Sequence, residues 1–260
     1  MKTKISKPVA IIRIVLTLIV LAVMVRAVML LNFENVFLCL LVLLLFSVPS
    51  FIEKRLKIML PDLLEVIILF FIFAAEILGE LQSYYLQYPY WDTLLHTTWG
   101  FLCAAIGFSL VDILNQNSRI KFTLSPVFVA IVAFCFSMTV GVFWEFFEFG
   151  VDNFLHFDMQ KDTVINEFYS TLLDPTKSNI AIPIEGVENT FINGKLLIEG
   201  GYLDIGLIDT MMDLFVNFIG ALVFSVIGFI YIKQRGKGKL ASSLIPTIIE
   251  KNEKDEANEK

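Results

Sequence analysis

Asp92 and His96 stand four residues apart at the head of a long apolar run, Tyr90-Trp91-Asp92-Thr93-Leu94-Leu95-His96-Thr97-Thr98-Trp99-Gly100. On a helix this spacing sets both side chains on one face, one turn apart. Two later apolar runs carry comparable sets: Glu145 with Glu148, and Asp209 with Asp213 and Asn217. Carboxylates and an imidazole gathered in a low dielectric have few chemical uses. They hold a cation, share protons, or act as general acid and base, because crowded like charges cannot all stay ionised. The residue types suggest His96, Glu145, Asp209 and Asp213 as metal ligands and Glu148 or Asp92 as general base. Asn217, Glu76 and Arg26 are the expected binding residues around them. An oxygen-rich set with one imidazole suits Mg, Mn or Zn.

The elements that must position these residues are membrane spans. The chain is 260 residues long and 57% hydrophobic, against roughly 45–50% for a soluble domain. The excess lies in runs near or above the ~18 residues that signal a span. Six are expected: 8–31, 33–52, 62–81, 92–114, 125–150 and 207–232. The fold class is an all-α, polytopic membrane helix bundle with six transmembrane helices. Residues 1–232 form the transmembrane domain, and 233–260 a charged tail whose composition predicts no fixed structure. Ser125-Pro126 is an N-cap followed by proline at the first helical position. Between the last two spans lies a loop, 151–206, in which Asn193-Gly194 between apolar flanks predicts a β-hairpin. This loop can lie over the outer end of the bundle as a lid or pack on headgroups. The three cysteines, Cys39, Cys103 and Cys135, all fall in apolar runs and read as small buried hydrophobes.

Charge orients the bundle. Lys2, Lys4 and Lys7, then Lys54, Arg55 and Lys57, then Arg119 and Lys121, then Lys233, Arg235, Lys237 and Lys239 fall on one set of connections. The opposite short loops carry no Lys or Arg, and the long loop has three lysines against nine acids. By the positive-inside rule both termini are cytoplasmic and the long loop is outside. The basic start of the tail fits a membrane surface rather than nucleic acid.

This topology brings the acids to one depth. Asp92 and His96 enter from outside, Glu145 and Glu148 exit there, and Asp209, Asp213 and Asn217 descend from it. Glu76 and Glu80 close the third span, with Arg26 in the outer part of the first. At 1.5 Å per residue, most lie within roughly 10 Å of the outer boundary. A carboxylate well inside a span costs about 2.5–3.5 kcal/mol, so seven acids at one level need compensation. Each has a blander role too: Asp92 as an N-cap, Glu80 as a solvated interfacial acid, Arg26 as a snorkelling side chain. Glu145 and Asp213 are the hardest to explain that way, being deeper.

Asp92-x-x-x-His96, Glu145-x-x-Glu148 and Asp213-x-x-x-Asn217-x-x-Gly220-Ala221 resemble the VanZ-like membrane proteins. Trp91-Asp92 to His96, Trp144-Glu145 and Asp209-Thr210-x-x-Asp213 resemble more closely the YjdF-type bacterial membrane proteins, a group without an assigned reaction. The match covers the last three spans. The VanZ-like pattern has Lys and Gln where this chain has Thr93 and Glu148, which makes this site more acidic. The resemblance implies a membrane protein of the bacterial cell envelope. Three functions are then open: an enzyme or binding protein that uses a divalent cation on a lipid-linked or phosphorylated headgroup, a transporter of protons or small cations, and a non-catalytic structural or partner-binding protein. Membrane lipids are the expected partners. Below Asn217 the polar path inward is sparse, with Ser225, Ser109 and Asp112, which disfavours transport.

Overall fold

The computed structural model describes residues 6–56, 58–115, 124–234 and 242–248. Lys2, Lys4, Lys57, Arg119, Lys121, Arg235, Lys237 and Lys239, and the tail beyond residue 248, lie outside the described residues. The chain divides into two compact units, one of Met1–Val140 with Val216–Lys260, the other of Gly141–Phe215.

Long apolar helices dominate. They are α1 (Lys7–Met29), α2 (Phe33–Leu45), α3 (Val48–Leu56), α4 (Asp62–Ile72), α5 (Tyr84–Gln87), α6 (Trp91–Asn115), α7 (Pro126–Leu155) and α8 (Leu207–Lys233). Among the described residues five helices are long and apolar enough to cross a membrane: Lys7–Met29, Phe33–Arg55, Trp91–Asp112, Pro126–Leu155 and Leu207–Lys233. The expected span 62–81 is helical but changes type midway. α4 passes at Phe73 into a π-helix, Phe73–Leu81, and Glu76 lies on that wider turn. π-turns inside α-helices are rare and concentrate at functional sites. The helix starts follow the sequence. Ser125 Oγ accepts the Phe128 N–H at 3.2 Å, ahead of Pro126. α7 runs five residues beyond the expected end at 150, and His156, at φ 60°, turns the chain out of it.

In the first unit, one core is built by α1, α2 and α4: Val9, Leu16, Val20, Cys39, Val42 and Leu69 are all buried. α1 and α4 are also joined by charge. Arg13 donates to Glu65 Oε1 through Nη2 and to Ser50 Oγ on α3 through Nη1, the latter at 2.9 Å. A second core sets Leu102 and Phe108 of α6 with Val129, Ala133, Ala221 and Phe224. Where composition predicts an unstructured tail, residues 242–248 are folded. Leu244 and Ile245 are buried in this second core, and β8 (Thr247–Ile248) pairs antiparallel with β1 (Ile58–Met59). Two adjacent apolar side chains in a polar tail suffice to hold that short stretch down. Cys39 and Cys103 are buried as expected, but Cys135 is exposed, on an outward face of α7.

The second unit holds the ends of α7 and α8 with the loop that joins them. That loop forms three short antiparallel pairs. β2 (Val164–Ile165) pairs with β7 (Tyr202–Leu203), β3 (Phe168–Ser170) with β4 (Ile182–Ile184), and β5 (Asn189–Ile192) with β6 (Lys195–Glu199). Asn193 and Gly194 link β5 to β6 with φ of 53° and 76°, the left-handed values a two-residue turn between antiparallel strands requires. After β3 the chain is organised by Asp174. Its carboxylate accepts the Thr176 hydroxyl at 2.6 Å and the N–H groups of Thr176, Ser178 and Ile180 at 2.8–3.1 Å. The Thr176 hydroxyl foremost, with those amides, holds the Asp174 carboxyl down to about 2 against the attendant desolvation. A depressed acid stabilises above its ordinary value of 3.8, and that contribution is lost as pH falls through about 2. With carboxyl-labelled aspartate, the Asp174 carbon is expected to titrate near pH 2, releasing the Ser178 and Ile180 amides as it does. A midpoint at 3.8 refutes this account.

Candidate functional site

Three acids of the second unit converge. Glu145 and Glu148 are three residues apart on α7 and so share a face. Asp213 occupies the second turn of α8. One carboxylate oxygen from each of Glu145, Glu148 and Asp213 lies within 4.8 Å of the others. All three residues are buried, at 5%, 7% and 4% exposure. Surface acids can sit this close because water screens them; buried ones repel strongly. Trp144 supports the group by donating its indole N–H to Glu148 Oε1 at 2.8 Å. The donors are all hard oxygens, close enough to share one ion at oxygen–metal distances of roughly 2.0–2.6 Å.

Asp209, an expected ligand, uses Oδ2 to accept the Lys161 N–H at 2.7 Å and is not among the clustered oxygens of Glu145, Glu148 and Asp213. The backbone amide of a returning loop is the nearer claimant, because Asp209 sits in the first turn of α8. In the first unit, Asp92 and His96 pair across one turn of α6, Oδ1 to Nε2, at 3.6 Å. Asn217 is almost wholly buried at 1% exposure, in the same unit, where Gly100 of α6 runs against its backbone. Its Nδ2 approaches Met138 Sδ at 3.5 Å. Glu76 is half-buried on the π-turn, and Arg26 is exposed in the last turn of α1.

Two features were not read from the sequence. Gln160, in the loop, donates from Nε2 to Thr210 Oγ1 at 2.6 Å and reaches 3.5 Å from Glu145 Oε2. Nothing in a loop glutamine's local pattern marks it. The other is the Arg13–Glu65 pair. An arginine and a glutamate in separate apolar runs were its only signal, since ionisable residues in spans seek each other. The loop between α7 and α8 is itself acidic. Partial desolvation, then Asp158, Asp204 and Asp152, push the Asp162 carboxyl above its ordinary value.

One family model, described as "Predicted membrane protein (DUF2238)", matches residues 11–234, from the first span to the end of α8. No curated protein and no solved structure matches the chain.

Proposed function

We propose that this chain, which belongs to the DUF2238 family of predicted membrane proteins, holds a divalent cation on Glu145, Glu148 and Asp213 at the outer face of a bacterial plasma membrane. The family is the one to which YjdF-type proteins belong. The chain crosses the membrane six times on this reading, with 62–81 as the third crossing and both termini cytoplasmic. The reading is carried by one observation: three buried carboxylates present oxygens within 4.8 Å of one another. Crowding carboxylates out of water sets like charges against one another, and a cation or protons held among them relieve that repulsion. Hard oxygen donors of this kind suit a divalent ion of the Mg, Mn or Zn type.

Glu148 therefore moves from general base to ligand, with Trp144 fixing its orientation. A bound cation supplies Lewis acidity toward a phosphoryl or carbonyl oxygen. The substrate class that meets these residues at an outer membrane face is a lipid-linked or phosphorylated headgroup. Glu145, Glu148 and Asp213 would hold the ion, whose charge would offset their own repulsion of the headgroup's anionic oxygens. Transport is the weaker reading, because the path inward below Asn217 offers few polar groups, Ser225, Ser109 and Asp112, and the Ser109 hydroxyl already donates to the Ala105 carbonyl.

The test is Mn binding by detergent-purified protein, followed by the loss of the free-ion EPR signal. One ion per chain is expected, with affinity falling at least ~100-fold in Glu145→Gln/Asp213→Asn, the scale of losing two charged ligands. Absence of binding in the unaltered protein, with equal melting temperatures for both, sinks the cation reading.

A further inference from the structure

We propose that residues 159–163 form a gate over Glu145, latched by Gln160. The gate's purpose rests on the cation reading, but its existence does not. The segment belongs to no helix or strand, yet nearly every backbone N–H in it is held by a carboxylate. Asp152, near the end of α7, accepts from Met159 at 2.6 Å and from Gln160 at 2.8 Å. Asp209 accepts from Lys161 at 2.7 Å, and Asp204 from Thr163 at 2.7 Å. These aspartates thus clamp the segment from both sides. Asp204 is itself fixed, because its other oxygen accepts the Ile208 N–H at the start of α8.

Gln160 is the part that reaches inward. Its carboxamide joins Thr210 on α8 to Glu145 on α7. A neutral amide pointed at a carboxylate is a placeholder: it offers one N–H where a cation would offer full charge. The backbone can lie this low only because residue 206 is glycine. Gly206 has φ 76°, and a Cβ there would stand 2.8 Å from Gln160 Cβ and 2.9 Å from the Gln160 carbonyl oxygen. Lys161 and Asp162 are exposed and Met159 is only half-buried. The segment is therefore held by polar clamps more than by apolar burial. Segments of that kind open locally at a small fraction of global stability.

Amide hydrogen exchange on the full chain in detergent tests this, for the unaltered protein, Gln160→Ala and Gly206→Ala. Peptides covering 157–163 should exchange at least ~10-fold faster in both variants, as lost latch contacts lower the opening free energy. Peptides over the β5–β6 pair should be unchanged, which guards against general unfolding. Mn uptake by stopped flow should quicken in Gln160→Ala. Unchanged exchange in both variants overturns the gate whatever the cation data. Faster exchange with Mn uptake unaltered overturns it as well, because the segment then opens without controlling entry. Faster exchange with no Mn binding in any chain leaves the latch standing and retires the cation reading alone.

Discussion

Gly220→Ala is expected to be among the most destabilising single-methyl additions in this chain. A Cβ at residue 220 would lie 1.9 Å from the Thr97 carbonyl oxygen and 2.9 Å from the Phe101 nitrogen. The arrangement is reciprocal, since a Cβ at Gly100 would lie 2.2 Å from the Asn217 carbonyl oxygen. One glycine on α6 and one on α8 thus let two backbones touch, as small residues do in membrane bundles. A side chain in the way could rotate aside; backbone atoms cannot, so the helices must part. Overpacking a core typically costs about 1–3 kcal/mol, and a backbone collision should reach or pass the top of that range. Thermal unfolding in detergent reads the effect. Gly150→Ala is the matched control, because nothing lies within 4 Å of its Cβ position. There the helix should gain up to ~1 kcal/mol from alanine's higher propensity. Equal melting temperatures for the two variants would contradict the close approach of α6 and α8.

Arg13→Leu should have an effect of similar size through charge. Glu65 is buried, and the Arg13 guanidinium holds its carboxylate while also binding Ser50 on α3. Removing one partner of a buried ion pair costs about 3–5 kcal/mol, chiefly from the charge left behind. Replacing both partners with apolar residues of similar size is often neutral. The double variant Arg13→Leu/Glu65→Leu should therefore recover most of the stability lost in Arg13→Leu. If the double variant melts no higher than the single one, the pair is not the source of the loss.

The spans were legible because hydropathy over ~18 residues is a strong signal and depends on no partner. The start of α7 was legible for a similar reason, since Ser125-Pro126 acts within one turn. The expected depth of Glu145, Glu148 and Asp213, from charge-derived topology plus helix rise, put the three at one level, so their convergence was within reach of the sequence. Which oxygens cluster was not. Asp209 differs from Asp213 by one turn, and only the path of the returning loop assigns it to the Lys161 amide. Gln160 was invisible because its role depends on where an irregular segment lies. Folding of residues 242–248 was masked by their charged neighbours, and Cys135 by an apolar run that is exposed on one face. The π-turn that carries Glu76 leaves hydropathy unchanged, so composition could not show it.

The two-residue ladder between Ile58–Met59 and Thr247–Ile248 constrains far more than its size suggests. Strands bonded to each other at about 4.8 Å cannot be on opposite sides of a bilayer about 30 Å thick. Between Met59 and Thr247 the chain must therefore cross an even number of times. On the six-span reading proposed above, α6, α7 and α8 give three crossings between these strands and residues 62–81 give the fourth. The ladder and the proposed six spans are thus mutually consistent, given α6, α7 and α8 as hydropathy assigns them. On that reading the pairing makes the tail a topological lock, one that Ile58–Met59 and Thr247–Ile248 can close only when residues 62–81 cross.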